Sequence, residues 1–275
     1  MDDAARTWIT HHPFLEGVAG FHDAVGTAIA AASLPRVTVP ALEVWDEDLV
    51  RGVPLLRSER VGLAGAPELG EAVARLAASV AAAPIPQTFR SAAADLYDFL
   101  RGPEGRPRVV GWLLRGGDAE LPGEAGVTRF VGWHALAHAL APVVEACATR
   151  RDDDRWNRGS CPTCGAQPGM AQLVPAAGVR RRMLACGQCR TRWKHRRTAC
   201  PHCGNEDERQ LAVLEVEGGS GLRLDVCEAC KGYVKTSDAS AGDLLLADWP
   251  TLHLDVVAAE RGYQRRGASL YELEG

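Results

Sequence analysis

Eight of the nine cysteines in this 275-residue chain fall in four CxxC pairs: Cys161 with Cys164, Cys186 with Cys189, Cys200 with Cys203, and Cys227 with Cys230. The segments CPTCG (161–165) and CPHCG (200–204) open two copies of one repeat. In the first copy 21 residues separate the pairs, in the second 23, and 10 residues join the copies. Glycine after the second cysteine of a CPxCG turn permits the left-handed conformation that closes a knuckle and directs two sulfurs toward one point. A strand-like return, RRMLAC or LRLDVC, then brings back the second pair. This is the plan of two tandem zinc-ribbon or rubredoxin-like modules. The rival pairing, a cross-brace in which the first CxxC shares a metal with the third, splits the repeat.

In a reducing compartment, paired CxxC spacing reads as metal ligation rather than cross-linking. The sequence therefore calls for two divalent metal ions, one per four-cysteine site. Iron and zinc both suit tetrahedral thiolate, and the pattern does not separate them. Four thiolates leave no open coordination position for Lewis-acid chemistry, so the sites are structural or electron-carrying. The chain shows no nucleophile–base arrangement or phosphate loop, and the expectation is a protein that is not an enzyme. MDDAARTWITHHPF carries acids where a secretory signal would carry bases, and no apolar run reaches membrane-spanning length, so a cytoplasmic location without membrane insertion is expected.

Residues 1–150 read as an α-helical domain, 160–195 and 196–236 as the two metal ribbons, and 240–275 as a C-terminal helical segment: an α+β chain. Helices are expected at about 14–33, 67–83, 87–101 and 128–149, punctuated by LPRVTVP and RGPEGRP. In the last of them Trp133, Leu136, Ala137, Leu140, Val144 and Cys147 recur at helical spacing as a buried stripe, and Pro142 should kink or restart the helix. His134 and His138, four apart without an HExxH acid, read as structural, and Cys147 as an inert buried thiol. RRDDDRWNRG (150–159) reads as a linker or domain edge. After the polar TSDASAGD stretch, helical pieces are expected at 241–247 and 250–262, with Leu252, Val256, Ala259 and Tyr263 facing the core.

The run CRTRWKHRRTAC invites a nucleic-acid reading, Arg and Lys for phosphates and Trp193 for a base. Residues 150–231 hold 15 Arg/Lys against 10 Asp/Glu, a formal +5, which two divalent tetrathiolate centres would bring to +1. Nucleic-acid binding is not expected on that balance; the arginines offset the clusters or meet an acidic protein partner.

CPTCG, CGQC, RTRWKHRRTACPHCGNED, LDVCEACKGYVK and LHLDVVAAERGYQRRG, in that order between about 160 and 266, resemble the formate dehydrogenase accessory protein FdhE family. The resemblance implies a cytoplasmic maturation factor that associates with the catalytic subunit of formate dehydrogenase, and rubredoxin-type iron binding at the eight cysteines. It maps a ring of neighbours onto Trp193, Arg197, Gly204, Asn205, Tyr233 and Lys235. Of these, Trp193, Arg197, Tyr233 and Lys235 are candidates for partner binding, with Tyr233 packed on its knuckle and Lys235 solvated as the alternative. Asp255, Glu260 and Arg261 are expected as surface charges. The ending ASLYELEG departs from the Asn-Pro-Phe-like ending associated with the family. A rubredoxin-like redox protein and a nucleic-acid-binding zinc ribbon are the alternative readings.

Overall fold

Proline and glycine divide the first half of the chain into helices. The structure, a computed structural model, describes residues 3–115, 124–215, 221–238 and 243–271. Within them run α1 (Asp3–His11), α2 (Glu16–Ala31), α3 (Asp46–Arg51), α4 (Pro67–Ala81), α5 (Gln87–Leu100), α6 (Gly105–Arg115), α7 (Ala125–Ala139), α8 (Ala141–Arg150) and the single turn α9 (Asp153–Trp156). The strands β1 (Met170–Ala176), β2 (Val179–Ala185), β3 (Arg192–His195), β4 (Leu211–Glu215), β5 (Leu222–Cys227) and β6 (Gly232–Asp238) follow, then α10 (Leu252–Glu260) and β7 (Gln264–Arg265).

Three of the expected helices are α2, α4 and α5. The fourth is two helices bent by 59° at Leu140, with Pro142 in the first turn of α8, where its missing N–H removes no helical hydrogen bond. The segment RGPEGRP is not only punctuation: α6 starts inside it, and Pro107 occupies its first turn. Leu69, Ala72, Val73, Leu76, Ala77 and Val80 give α4 one apolar face. α7 is buried on all sides, which makes it the central helix. Its expected stripe is buried except for half-buried Val144. A Cβ on Gly132 would lie 2.4 Å from Leu113, so α6 and α7 touch there. No single described helix is long and apolar enough to cross a membrane.

The two ribbons merge into one sheet of order β3-β2-β1-β6-β5-β4, with β7 also pairing β6. β1–β2–β3 and β4–β5–β6 are each antiparallel, and the joint is the parallel pair β1·β6, with Met170 opposite Lys235 and Leu173 opposite Asp238. The main hydrophobic core runs from Val25 through the helices to Val234, and takes in all four sulfur residues of the first ribbon together with Trp193. A smaller core joins Leu222, Leu224, Val226 and Tyr233 to Leu254 and Ala258 of α10, with Trp8 of α1 against it.

The 150–159 run, read as a linker, is packed. Trp156 is buried and donates to the Ser160 carbonyl (2.8 Å). Arg151 pairs with Asp153 (2.6 Å) and donates to the Arg192 carbonyl (2.8 Å), while Asp153 accepts the Lys194 N–H (2.9 Å). These contacts tie the last helices of the first half to β3.

The expected core face of the last helix needs correction. Leu254, Asp255 and Ala258 point inward, whereas Val256 and Ala259 are exposed and Leu252 and Tyr263 are half-buried. Apolar spacing carries no sign that Lys235 and Arg265 pair with Asp255 and make its burial favourable on the inward face. Residues 243–247 form a short 3-10 helix; residues 239–242, which include the start of the expected 241–247 piece, lie outside the described residues, as do the last four of the tail.

Candidate metal centres

Each repeat folds its own knuckles around its own sulfurs. Gly165 N–H donates to the Cys161 carbonyl (2.9 Å) and Cys161 N–H to that of Ala166 (2.8 Å). The same bonds recur in the second copy, Gly204 to Cys200 (2.9 Å) and Cys200 to Asn205 (2.8 Å). The residue after every CxxC is left-handed: Gly165 (φ 84°) and Gly204 (φ 75°), and also Arg190 (φ 63°) and Lys231 (φ 54°). For a residue with a Cβ this conformation costs roughly 1–2 kcal/mol. Sequence reading found the two glycine positions and missed the two cationic ones, although their place one residue past each return pair was a signal for them.

Cys161, Cys164, Cys186 and Cys189 form one group and Cys200, Cys203, Cys227 and Cys230 another, the sulfurs of each lying within 4.8 Å of one another. Cys161 and Cys189 sulfurs are 3.5 Å apart, as are those of Cys164 and Cys186; the corresponding separations in the second group are both 3.8 Å. Metal–sulfur bonds of about 2.3 Å in a tetrahedron set sulfurs about 3.8 Å apart, so both groups fit one metal ion each. Burial disfavours the Cys161 thiolate, yet the neighbouring sulfurs hold its thiol well below the ordinary range, while Cys161 pushes Cys164 well above it. A cation in the middle would satisfy all four. The cross-brace is absent, and His134 and His138 join neither group: His134 is buried with Nδ1 2.9 Å from the Phe130 carbonyl.

The two centres differ in exposure. All four cysteines of the first are buried, whereas in the second Cys203 is exposed and Cys230 is half-exposed. Around the first, Thr191 Oγ1 lies 3.2 Å from Cys189 Sγ and 2.7 Å from Thr163 Oγ1. Around the second, Asn205 Nδ2 approaches Cys227 Sγ at 3.7 Å and His202 Nε2 lies 2.9 Å from the Tyr233 carbonyl. Both centres are closed: no described carboxylate or imidazole stands within ligand distance of the sulfurs.

Three of the four residues expected at a partner surface are interior. Trp193 is fully buried and donates to the Arg158 carbonyl (3.0 Å). Tyr233 is buried, its hydroxyl donating to Asp255 Oδ1 (2.6 Å). Lys235 is no solvated amine: it is 1% exposed and pairs with Asp248 and with Asp255 (2.8 Å). Arg265 reaches the same two aspartates at 2.7 Å. Asp255, expected at the surface, is therefore buried because two cations hold it there, while Glu260 and Arg261 are exposed as read. Burial raises the Asp248 carboxyl, but Lys235 and Arg265 overcome this and hold it at about 2. Arg197 remains exposed, its one hydrogen bond among the described residues going to the Arg180 carbonyl. Three other cations of the basic run are balanced by acids from other segments, Arg192 by Asp243, Lys194 by Asp154 and Arg196 by Glu206. That balance, rather than the metal clusters alone, offsets its charge.

Residues 198–271 match the family model of the FdhE C-terminal domain. The chain is 35% identical over 128 residues to an FdhE homolog of Stutzerimonas stutzeri, covering 44% of this chain and 41% of that protein. It is 31% identical over 197 residues to an FdhE homolog of Pseudomonas aeruginosa, covering 66% and 61%. It thus spans between about four and six tenths of the length of these curated relatives. The crystal structure of the FdhE protein from Pseudomonas aeruginosa superimposes with a TM-score of 0.68 at 23% identity, over 97% of this chain and 93% of that one. Residues 198–271 therefore belong to the FdhE family by sequence, and the chain around them has the FdhE fold.

Proposed function

We propose that this chain is a formate dehydrogenase accessory factor, which binds the catalytic subunit in the cytoplasm and supports its maturation without catalysing a reaction itself. The observation that carries this reading is the pair of closed four-sulfur centres set in one continuous sheet, the second of them inside the segment 198–271 that matches the FdhE C-terminal domain. Cys161, Cys164, Cys186 and Cys189 would hold one iron or zinc ion, and Cys200, Cys203, Cys227 and Cys230 a second. A closed tetrathiolate site supplies rigidity or one-electron chemistry, and offers no coordination position to a substrate. Cross-linking two ribbons this small through metal fixes a surface that their own apolar cores could not hold. On that surface Arg197 is the exposed candidate for contact with the partner, while Trp193, Tyr233 and Lys235 act from inside by holding the ribbons in shape.

Affinity capture of the full chain from cells making formate dehydrogenase tests this reading. The expected result is recovery of the catalytic subunit, with two metal atoms per chain in the same sample; capture of the chain free of that subunit under assembly conditions would contradict it. The exposure of Cys203 favours one second reading, a rubredoxin-like electron carrier, since electron exchange works best at a centre near the surface. Reversible bleaching of visible absorption supports that reading, and a colourless zinc protein ends it.

A further inference from the structure

The outermost strand, β4, reads LAVLE and is apolar on both faces, where a strand with one solvated face would alternate apolar and polar residues. Its register divides the faces. Ala212 and Leu214 lie opposite Val226 and Leu224, on the side of the smaller core; Leu211 and Val213 lie opposite Cys227 and Asp225, on the side away from it. Val213 is 47% exposed. Among the described residues no strand pairs with the outer edge of β4, so its outward row of backbone N–H and C=O groups is open as well.

A groove of about 470 Å³ is lined by Leu211, Ala212 and Val213 and by the 197–202 segment that joins the ribbons. Buried Arg182 fixes that segment against the sheet, donating to the carbonyls of Arg196 (3.2 Å) and Ala199 (3.0 Å). In the groove wall Asp225 pairs with both Arg182 (3.0 Å) and Arg223 (2.8 Å), so these three charges are already matched. Arg197 and Glu208 also line the groove; both are exposed, and neither has an ion pair among the described residues. The groove therefore offers an apolar floor, an open strand edge and one free charge of each sign. Glu208 and Asp225 would repel a nucleic-acid backbone, whose charges are all negative. An extended peptide supplies what the groove lacks: backbone groups for the edge, and alternate side chains for the floor and the charges.

We propose that this groove docks an extended segment of the protein partner, which adds a strand to β4, sets an apolar side chain on Leu211 and Val213, and carries an acidic residue for Arg197 and a basic one for Glu208. That the partner is the catalytic subunit of formate dehydrogenase rests on the function proposed above; the chemistry of the groove does not.

Biolayer interferometry of the metal-loaded full chain against the catalytic subunit tests the site. Val213→Asp is expected to weaken binding by about tenfold or more, and Glu208→Lys by about threefold, with both metals and the wild-type melting temperature kept because the two residues are exposed. Val179→Asp changes another exposed valine, outside the groove, and should bind as the wild type does. Amide exchange at 211–215 should slow in the complex, as strand addition requires. Equal affinity of wild type and Val213→Asp, an equal loss in Val179→Asp, or unchanged exchange at 211–215 would overturn the proposal. If the chain binds no catalytic subunit, the function proposed above fails and the groove is tested alone. The peptides Glu-Val-Thr-Val-Lys and Lys-Val-Thr-Val-Glu, capped at both ends, are titrated to millimolar concentration into the zinc-loaded chain. At least one should shift the NMR signals of 211–215 in the wild type and not in Val213→Asp; no shift with either would overturn the groove as a docking site.

Discussion

The ammonium of Lys235 lies 2.8 Å from Asp255 Oδ2, and both side chains are closed to solvent. Asp248 and Arg265 complete a group of two cations and two anions that joins β6, α10 and β7, and Ser269 adds a hydroxyl on Asp248 (2.8 Å). Removing one member leaves an uncompensated buried charge, which typically costs about 3–5 kcal/mol.

Asp255→Ala is accordingly expected to lower stability by about 3–5 kcal/mol in urea unfolding. Lys235→Met combined with Asp255→Leu should lose less than the sum of the single changes, because Arg265 and Asp248 remain as a balanced pair. Strictly additive losses would show that the four charges do not act as one unit.

Acid should destabilise the chain well above the range in which carboxylates titrate. Burial, with nearby arginines adding to it, lowers both His134 and His195 from 6.5 to about 4. Below pH 6.5 the unfolded chain binds these protons and the folded chain does not, so stability falls as pH drops from 6.5 toward 4. Each fully buried histidine contributes on the order of 2 kcal/mol of that loss by pH 5. Melting temperatures of wild type and His134→Gln between pH 7.5 and 5 measure it; the variant should show the shallower decline, and parallel curves would refute the assignment.

The second metal centre should give up its metal before the first. Cys203 is exposed and Cys230 half-exposed, while the first centre sits in the main core. In a chelator titration followed by mass spectrometry of alkylated peptides, Cys203 and Cys230 should be labelled while Cys161, Cys164, Cys186 and Cys189 stay protected. Serine at Cys161 and Cys164 should unfold the helical half as well as empty the first centre, because those sulfurs pack with Trp193 and the helices; serine at Cys203 and Cys227 should leave the helices intact by circular dichroism. Simultaneous release of both metals would contradict this order.

Arg197 is exposed and carries no ion pair among the described residues. Arg197→Glu is expected to slow association with the partner by about tenfold at low salt and to leave the melting temperature unchanged, since rim charges act mainly on encounter rates. Equal association rates would remove Arg197 from the interface.

What the sequence made legible was local. Cysteine pairs, the glycine after Cys164 and after Cys203, and the apolar spacing of the 128–149 segment each encode their structure within a few residues, and the repeat places each four-sulfur group in its own copy. The parallel joint of β1 with β6 depends on residues more than 60 apart, such as Met170 and Lys235, and nothing near either strand signals it. Lys235 and Asp255 failed for a related reason. Each looks like a surface charge in its own element, and only the pairing between elements makes burial favourable. Arg190 and Lys231 hid because left-handed backbone is read from glycine, and here arginine and lysine adopt it.

Formate-dependent dye reduction in a strain lacking the chain tests the role proposed for it in the activation of formate dehydrogenase. The catalytic subunit is expected to be made but inactive without the chain, the intact chain to restore activity, and the variant with Cys227→Ser and Cys230→Ser to fail to restore it. Full formate-dependent activity in the absence of the chain would contradict it.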